Sequence, residues 1–264
     1  MPMGQPEGGS RPEVPGTAAF GKFMAVLQAV ADASGKVTTG QLGRALAMPR
    51  PTVHRIVAAL LAEGMLAEDA AGGIGLGPRL VSLAFRAWDG SALRQLAQES
   101  LSTLRDRLDE TVHLAVRDGA GMVYIDKLES RRNVRMASRI GTRVPLHSSS
   151  VGKAWLASLP EVELREVLAD LDLTPRTSHS IRDAAALLAE IERTRARGYS
   201  VDLQENELDI CCYGKALHGP AGRVLGCISV SMPRYRFLEL PEEEVVGAMQ
   251  ACADSFAAQA GRSA

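Results

Sequence analysis

Three features of this sequence predict an α+β protein in two unequal parts. Apolar residues recur at helical spacing in three short segments between residues 20 and 63, two short strand-like runs follow, and beyond residue 91 strands and helices come in separate runs. A chain of 264 residues can bury two cores of that kind, and 46% hydrophobic with 23% charged residues is the balance of a globular protein.

Residues 1–17 hold Pro2, Pro6, Pro12 and Pro15 beside Gly4, Gly8, Gly9 and Gly16, with almost nothing to bury, and read as a disordered arm. Residues 18–77 form the first domain. Phe23, Val26, Leu27 and Val30 mark one helix, and Thr38 or Thr39 caps a second that carries Leu42, Ala45 and Leu46. A third runs from about Pro49 to Glu63, with Val53, Ile56, Val57 and Leu60 on one face and Gly64 as its stop. The link between the second and third is short enough for a helix-turn-helix, and the runs on either side of Ala71-Gly72-Gly73 pair as a hairpin, the wing.

Residues 78–90 read as a linker helix between Pro78 and Asp89-Gly90. Its stripe of Leu80, Leu83, Ala84 and Ala87 fits an ordinary core, the second domain or another subunit equally well. Residues 91–264 make the second domain. Strands are expected over 111–117, 122–128, 134–140, 199–203, 212–217 and 224–232, and helices over 93–108, 151–159, 161–169, 184–197 and 241–258. Such runs build an antiparallel sheet with helices packed on it.

A formal net charge of -1 excludes a chain coated in basic charge, so any nucleic-acid contact must come from a local arrangement. With no membrane-length apolar run and no leader-like N-terminus, the chain is expected to stay in the cytoplasm and off the membrane. The four cysteines, Cys211, Cys212, Cys227 and Cys252, have no metal-pair spacing and are expected reduced. The histidines His54, His113, His147, His179 and His218 are scattered and read as structural or surface groups, so neither metal nor cofactor is expected.

If Val53, Ile56, Val57 and Leu60 face inward, Arg55 projects nearly opposite, His54 lies toward one edge, Thr52 sits nearby and Arg50 occupies the first turn. A cation there can reach a guanine edge or a phosphate in the major groove, which makes Arg50, Thr52, His54 and Arg55 the candidate DNA-contacting residues. A solvated polar face on a small helical module would look the same.

The run Pro51-Thr52-Val53-His54-Arg55-Ile56-Val57-Ala58-Ala59-Leu60, followed by Glu63-Gly64, resembles the recognition helix of the IclR family of bacterial regulators. Further landmarks follow in family order: Thr111-Val112-His113-Leu114-Ala115-Val116, Arg139-Ile140-Gly141, Pro145-Leu146-His147, Gly152-Lys153-Ala154, Arg197-Gly198-Tyr199-Ser200-Val201-Asp202 and Ser229-Val230-Ser231. The resemblance spans residues 20 to 258. It implies a winged-helix domain that binds double-stranded operator DNA, a linker helix and a GAF-like effector domain. It also implies a homodimer or a tetramer of dimers, acting as a repressor more often than an activator. By the same resemblance a small-molecule effector would lie against Ser150, Val151, Asp202, Cys212, Ser229 and Ser231, with Met136, Val144 and Ile210 as apolar wall. Ser150 and Val151 stand where many relatives have Gly or Ala, and Cys211 stands where an arginine is common.

The residues themselves support an anion at this place. A helix beginning near residue 150 presents free N–H groups and a positive dipole end, and Ser229 and Ser231, two apart on a strand, face the same side. Hydroxyls, a thiol and a helix N-terminus suit a small carboxylate or hydroxy acid, with Asp202 accepting from a ligand hydroxyl. Two other readings remain at this stage: a thiol enzyme using Cys211, Cys212 or Cys227, for which no activating neighbour is visible, and a winged helix that binds protein.

Overall fold

The computed structural model of the protein describes residues 14–262, without the side chain of Ala221. Most of the arm expected over 1–17 lies outside the described residues; residues 14–17 form a turn in which the Thr17 N–H donates to the Val14 carbonyl at 3.1 Å. Two compact units meet between Ser91 and Ala92.

In the first unit α1 (Ala18–Asp32), α2 (Thr39–Ala45) and α3 (Arg50–Ala62) precede the hairpin of β1 (Leu66–Glu68) and β2 (Ile74–Leu76), and α4 (Pro78–Asp89) closes it. Thr38 is the cap of α2: its hydroxyl accepts from the Gln41 N–H at 3.3 Å while Gln41 Oε1 accepts from the Thr38 N–H at 2.7 Å, so two orphan donors are satisfied reciprocally. Val26, Leu27, Val30, Leu42, Val53, Ile56, Val57, Leu60, Leu66 and Ile74 form one core. The wing is pinned to it by a bridge between Val37 and Ile74. Its turn is held by Asp69 Oδ1, which accepts from the N–H groups of Ala71 at 3.0 Å and Gly73 at 2.8 Å. On α4, Leu80 packs on this core, whereas Val81, Leu83 and Phe85 are exposed.

In the second unit α5 (Ala92–Leu108), β3 (Thr111–Asp118) and β4 (Gly121–Leu128) come first, followed by β5 (Arg143–Pro145), α6 (Ser150–Ala157), α7 (Glu161–Ala169) and α8 (Ala184–Arg197). Then come β6 (Ser200–Leu203), β7 (Ile210–His218), β8 (Val224–Pro233), α9 (Arg234–Glu239) and α10 (Glu242–Arg262). The strands make one six-stranded antiparallel sheet in the order β5-β4-β3-β8-β7-β6. Strand alternation sorts its side chains: Val112, Leu114, Ile228, Val230 and Met232 join α5 and α10 on one face, while Ala115, Tyr124 and Cys227 join α6, α7 and α8 on the other.

One expected element is absent. Residues 134–140 form no strand; the edge strand is β5, and the preceding segment is a loop that turns at Gly141, whose φ is 88°. The Lys127 ammonium holds this loop by donating to the carbonyls of Met136 at 2.9 Å and Ser138 at 2.7 Å, so those carbonyls have no ladder partner to seek. Helix α9 was not foreseen. Among the described residues no helix is long and apolar enough to cross a membrane.

Candidate functional site

Two surfaces carry chemistry, one in each unit. On α3 the inward face is Val53, Ile56, Val57 and Leu60, as its spacing requires, which leaves Arg50, His54 and Arg55 exposed and Thr52 half-buried. Neither Arg50 nor Arg55 has a carboxylate partner among the described residues. Elsewhere in this unit Lys36, between α1 and α2, meets Asp69 of the wing at 3.2 Å and Arg79, at the start of α4, is paired with Glu63, whereas the cations of α3 stay unpaired among the described residues. The Gly64 N–H donates to Leu61 at 2.9 Å and the Met65 N–H to Leu60 at 2.9 Å, with Gly64 at φ 67°, a turn that ends α3 and launches β1.

The second unit holds a cavity of about 230 Å³ between the sheet, the start of α6 and two loops. That is room for roughly eight water molecules at about 30 Å³ each, the scale of a small metabolite. Its floor is a row of cross-strand neighbours: Asp202 on β6, Cys212 on β7 and Ser231 on β8. Helix α6 lies close because the sheet has no side chain at Gly214, where a Cβ would fall 2.5 Å from the Ser150 carbonyl oxygen. Ser149 caps α6, its hydroxyl accepting from the Gly152 N–H at 3.1 Å.

Of the residues anticipated around an effector, Met136, Val144, Ser150, Asp202, Ile210, Cys212 and Ser231 line this cavity and two do not. The Val151 side chain is buried in the core between α6 and the sheet. Ser229 lies one row further along β8, with its hydroxyl 3.2 Å from His113 Nδ1. Several lining groups escaped sequence reasoning, among them His113, Tyr124, Ser149, Arg176, Asn206 and Glu207. The run Thr111 to Val116 held the signal for His113: alternation puts it on the face of Ser229. Arg176 and Glu207 sit in loops and had no periodic pattern to place them.

The electrostatics are those of a partly open pocket with a mixed polar and apolar lining. His113 stacks on Tyr124 with ring centroids 4.2 Å apart and has Nε2 2.8 Å from Ser138 Oγ; burial drives its pKa down to about 3, so the ring is neutral. Asp202 Oδ1 accepts from the Glu205 N–H at 2.7 Å, yet burial, reinforced by Glu205, pushes its carboxyl up to about 7. Behind it Lys153, completely buried, donates to Glu205 Oε1 at 2.5 Å and lies 3.8 Å from Glu190. Burial raises Glu205 as well. The thiols are pushed the wrong way for nucleophiles: desolvation raises Cys211 to about 11 and lifts Cys212 and Cys227 well above the ordinary thiol range.

A winged helix with an unpaired cationic face, on one chain with an antiparallel-sheet domain of this topology, is the build of a DNA-binding transcription regulator. The model of the IclR helix-turn-helix domain matches residues 21–70, and that of the bacterial transcriptional regulator IclR C-terminal region matches residues 85–258. The chain belongs to the IclR family of bacterial transcription regulators, which are not enzymes. It is 31% identical over 227 residues to the transcriptional repressor AllR of Escherichia coli K12, covering 85% of this chain and 83% of that one. It is 30% identical over 241 residues to the transcriptional regulator KdgR of the same organism, covering 91% of each. Among solved structures, an IclR homolog from Microbacterium hydrocarbonoxydans complexed with 4-hydroxybenzoate aligns at a TM-score of 0.76 and 25% identity, covering 94% of this chain and 100% of that one.

Proposed function

We propose that this regulator is a ligand-responsive repressor, cytoplasmic and at least dimeric. In this reading α3 contacts operator DNA through Arg50, Thr52, His54 and Arg55, and the cavity binds a small, oxygen-rich, anionic metabolite whose occupancy changes the affinity for DNA. The observation that carries the reading is the coexistence of a cationic helix face without acidic partners and a partly open cavity with polar groups at a helix N-terminus. Repression is supported by the likeness to AllR, a repressor, and ligand class by the 4-hydroxybenzoate of the Microbacterium homolog, a small carboxylate with a hydroxyl. Coupling between ligand and DNA must be reciprocal: a ligand that loosens DNA is itself held more weakly by the DNA complex.

A gel shift on the DNA upstream of the protein's own gene tests the first half. Arg55→Ala and Arg50→Ala are each expected to cost about 1–3 kcal/mol, roughly 5- to 150-fold in affinity, with unchanged melting temperature because both side chains are exposed and unpaired. Parent-like binding by both variants at equal salt would move the reading surface off α3. The first domain has little net positive charge, with Lys22, Lys36, Arg44, Arg50 and Arg55 set against Asp32, Glu63, Glu68 and Asp69, so a single copy should grip DNA weakly. Two linked half-sites restore affinity. Light scattering at micromolar concentration is expected to give the mass of a dimer or tetramer, and a monomer mass refutes this.

A further inference from the structure

Resting on the effector reading above, we infer that Arg176 is the carboxylate receptor of the cavity, and that the site selects a monocarboxylate carrying a hydrogen-bond donor over dicarboxylates and neutral analogues. Two arginines line the cavity. Arg143 is already paired with Asp118, whereas the Arg176 guanidinium has no carboxylate partner among the described residues.

The backbone beneath Arg176 is built rather than loose. Ser180 Oγ accepts from the Arg176 N–H and the Thr177 N–H, each at 2.9 Å, and donates to the Glu205 carbonyl at 2.6 Å. Thr177 Oγ1 donates to the Gln204 carbonyl at 2.7 Å. The segment bearing Arg176 is thereby strapped to the loop bearing Asn206 and Glu207, and the buried Lys153–Glu205 pair ties that loop to α6. This frame fixes the backbone that carries the exposed Arg176 side chain, whose guanidinium, with its five donors unspent on protein carboxylates, offers a forked match to a ligand carboxylate.

The remaining lining decides what else the ligand carries. Asp202 is only 3% exposed, and both of its backbone hydrogen bonds fall on Oδ1, leaving Oδ2 for the cavity. Asn206 Oδ1 is buried with no partner, and Glu207 adds a second carboxylate to the wall. Two buried acceptors on the cavity wall, on Asp202 and Asn206, call for donors on the ligand, such as hydroxyls, because a buried acceptor left unmade costs its desolvation. In their ionised forms Asp202 and Glu207 also repel a second ligand carboxylate, for Asp202 chiefly above about pH 7. One free cation against two carboxyl groups fits a single negative charge.

Melting-temperature shifts of the full chain test this with three sets of probes. The acids are glycerate, lactate and 4-hydroxybenzoate; the neutral counterparts are glycerol, lactamide and 4-hydroxybenzamide; the dicarboxylates are malate and tartrate. At least one of the acids is expected to stabilise the parent, with its neutral counterpart and the dicarboxylates at least tenfold weaker. Arg176→Gln should lose that preference and Arg176→Lys keep part of it, while both melt like the parent without probe. If Arg176→Gln responds to the acid as the parent does, or acid and neutral probe stabilise equally, Arg176 is not the receptor although the effector pocket stands. A parent stabilised only by the neutral or dicarboxylate probes has the same consequence. A parent unmoved by every probe overturns this inference and the small-acid effector together.

Discussion

Lys153→Met is expected to destabilise the second unit by about 3–5 kcal/mol, the cost of leaving a buried charge without its partner. Methionine replaces the volume of the lysine stem, so no cavity opens; what is lost is the ammonium. Glu190 keeps Arg197 at 2.6 Å and Arg193 at 2.9 Å, but Glu205 has no other cation among the described residues, and its Oε2 is already without a partner there. The damage should therefore fall on Glu205. At about 2–4 °C per kcal/mol for a unit of this size, the melting temperature should drop by roughly 10 °C. Adding Glu205→Gln removes the stranded charge and should recover most of the loss, a non-additivity expected of two groups in direct contact. Thermal melts of the two single variants and the double variant check this. A Lys153→Met protein that melts with the parent would mean that the pair contributes nothing.

That ion pair shows where sequence reasoning stopped. The first unit was legible almost throughout, because its helices and wing are short local units whose period and caps lie in consecutive residues: Val53, Ile56, Val57 and Leu60 gave the face of α3, and Gly64 its end. The sheet was legible strand by strand except at 134–140, where apolar residues at Val134, Met136 and Ile140 suggest a strand but the Met136 and Ser138 carbonyls are taken by Lys127 and no ladder forms. Alternation marks a strand only if something pairs with it. Helix α9 is too short to carry a period.

The cavity was legible where it is built from regular structure. Asp202, Cys212 and Ser231 occupy one cross-strand row, and the start of α6 could be placed from its sequence. Val151 was misplaced because a helix start offers its backbone and its side chains in different directions, and here the side chain goes to the core. Ser229 shares a strand face with Ser231, and both hydroxyls lie near His113 Nδ1, at 3.2 and 3.4 Å, but only Ser231 reaches the cavity one row along the strand. Loop residues such as Arg176, Asn206 and Glu207 arrive through tertiary hydrogen bonds from Ser180 and Thr177, which no local pattern announces.

Asp202 should make the second unit lose stability as pH rises from about 4 to 7. Its carboxyl, ordinarily near 3.8, is held up to about 7 by burial and by Glu205, against the opposing pull of Lys153 and of the Glu205 and Asn206 N–H groups. The folded state thus binds a proton that the unfolded chain has released. The contribution is whole below about pH 4, declines as pH rises through the window and is gone above the folded value, amounting to at most about 4 kcal/mol. Carboxylates shifted the other way, such as Asp69, Glu129, Glu161 and Asp172, act with opposite sign at the acid end, so parent and variant must be compared at each pH. Asp202→Asn keeps the acceptor for the Glu205 N–H and cannot ionise. Its stability should match the parent near pH 4 and exceed it at pH 8; the slope that remains should be the sum of Glu205 and Glu110, raised like Asp202, and of His113 and His147, whose lowered values act with the opposite sign. Urea unfolding followed by the fluorescence of Trp155, which sits on α6 with the guanidinium of Arg117 4.5 Å above its ring, reads the unit concerned when Trp88 of the first unit is replaced by Phe in both proteins. If Asp202→Asn and the parent keep a constant stability difference from pH 4 to 8, Asp202 is ionised throughout, and the cavity wall is a fixed negative charge rather than a proton store.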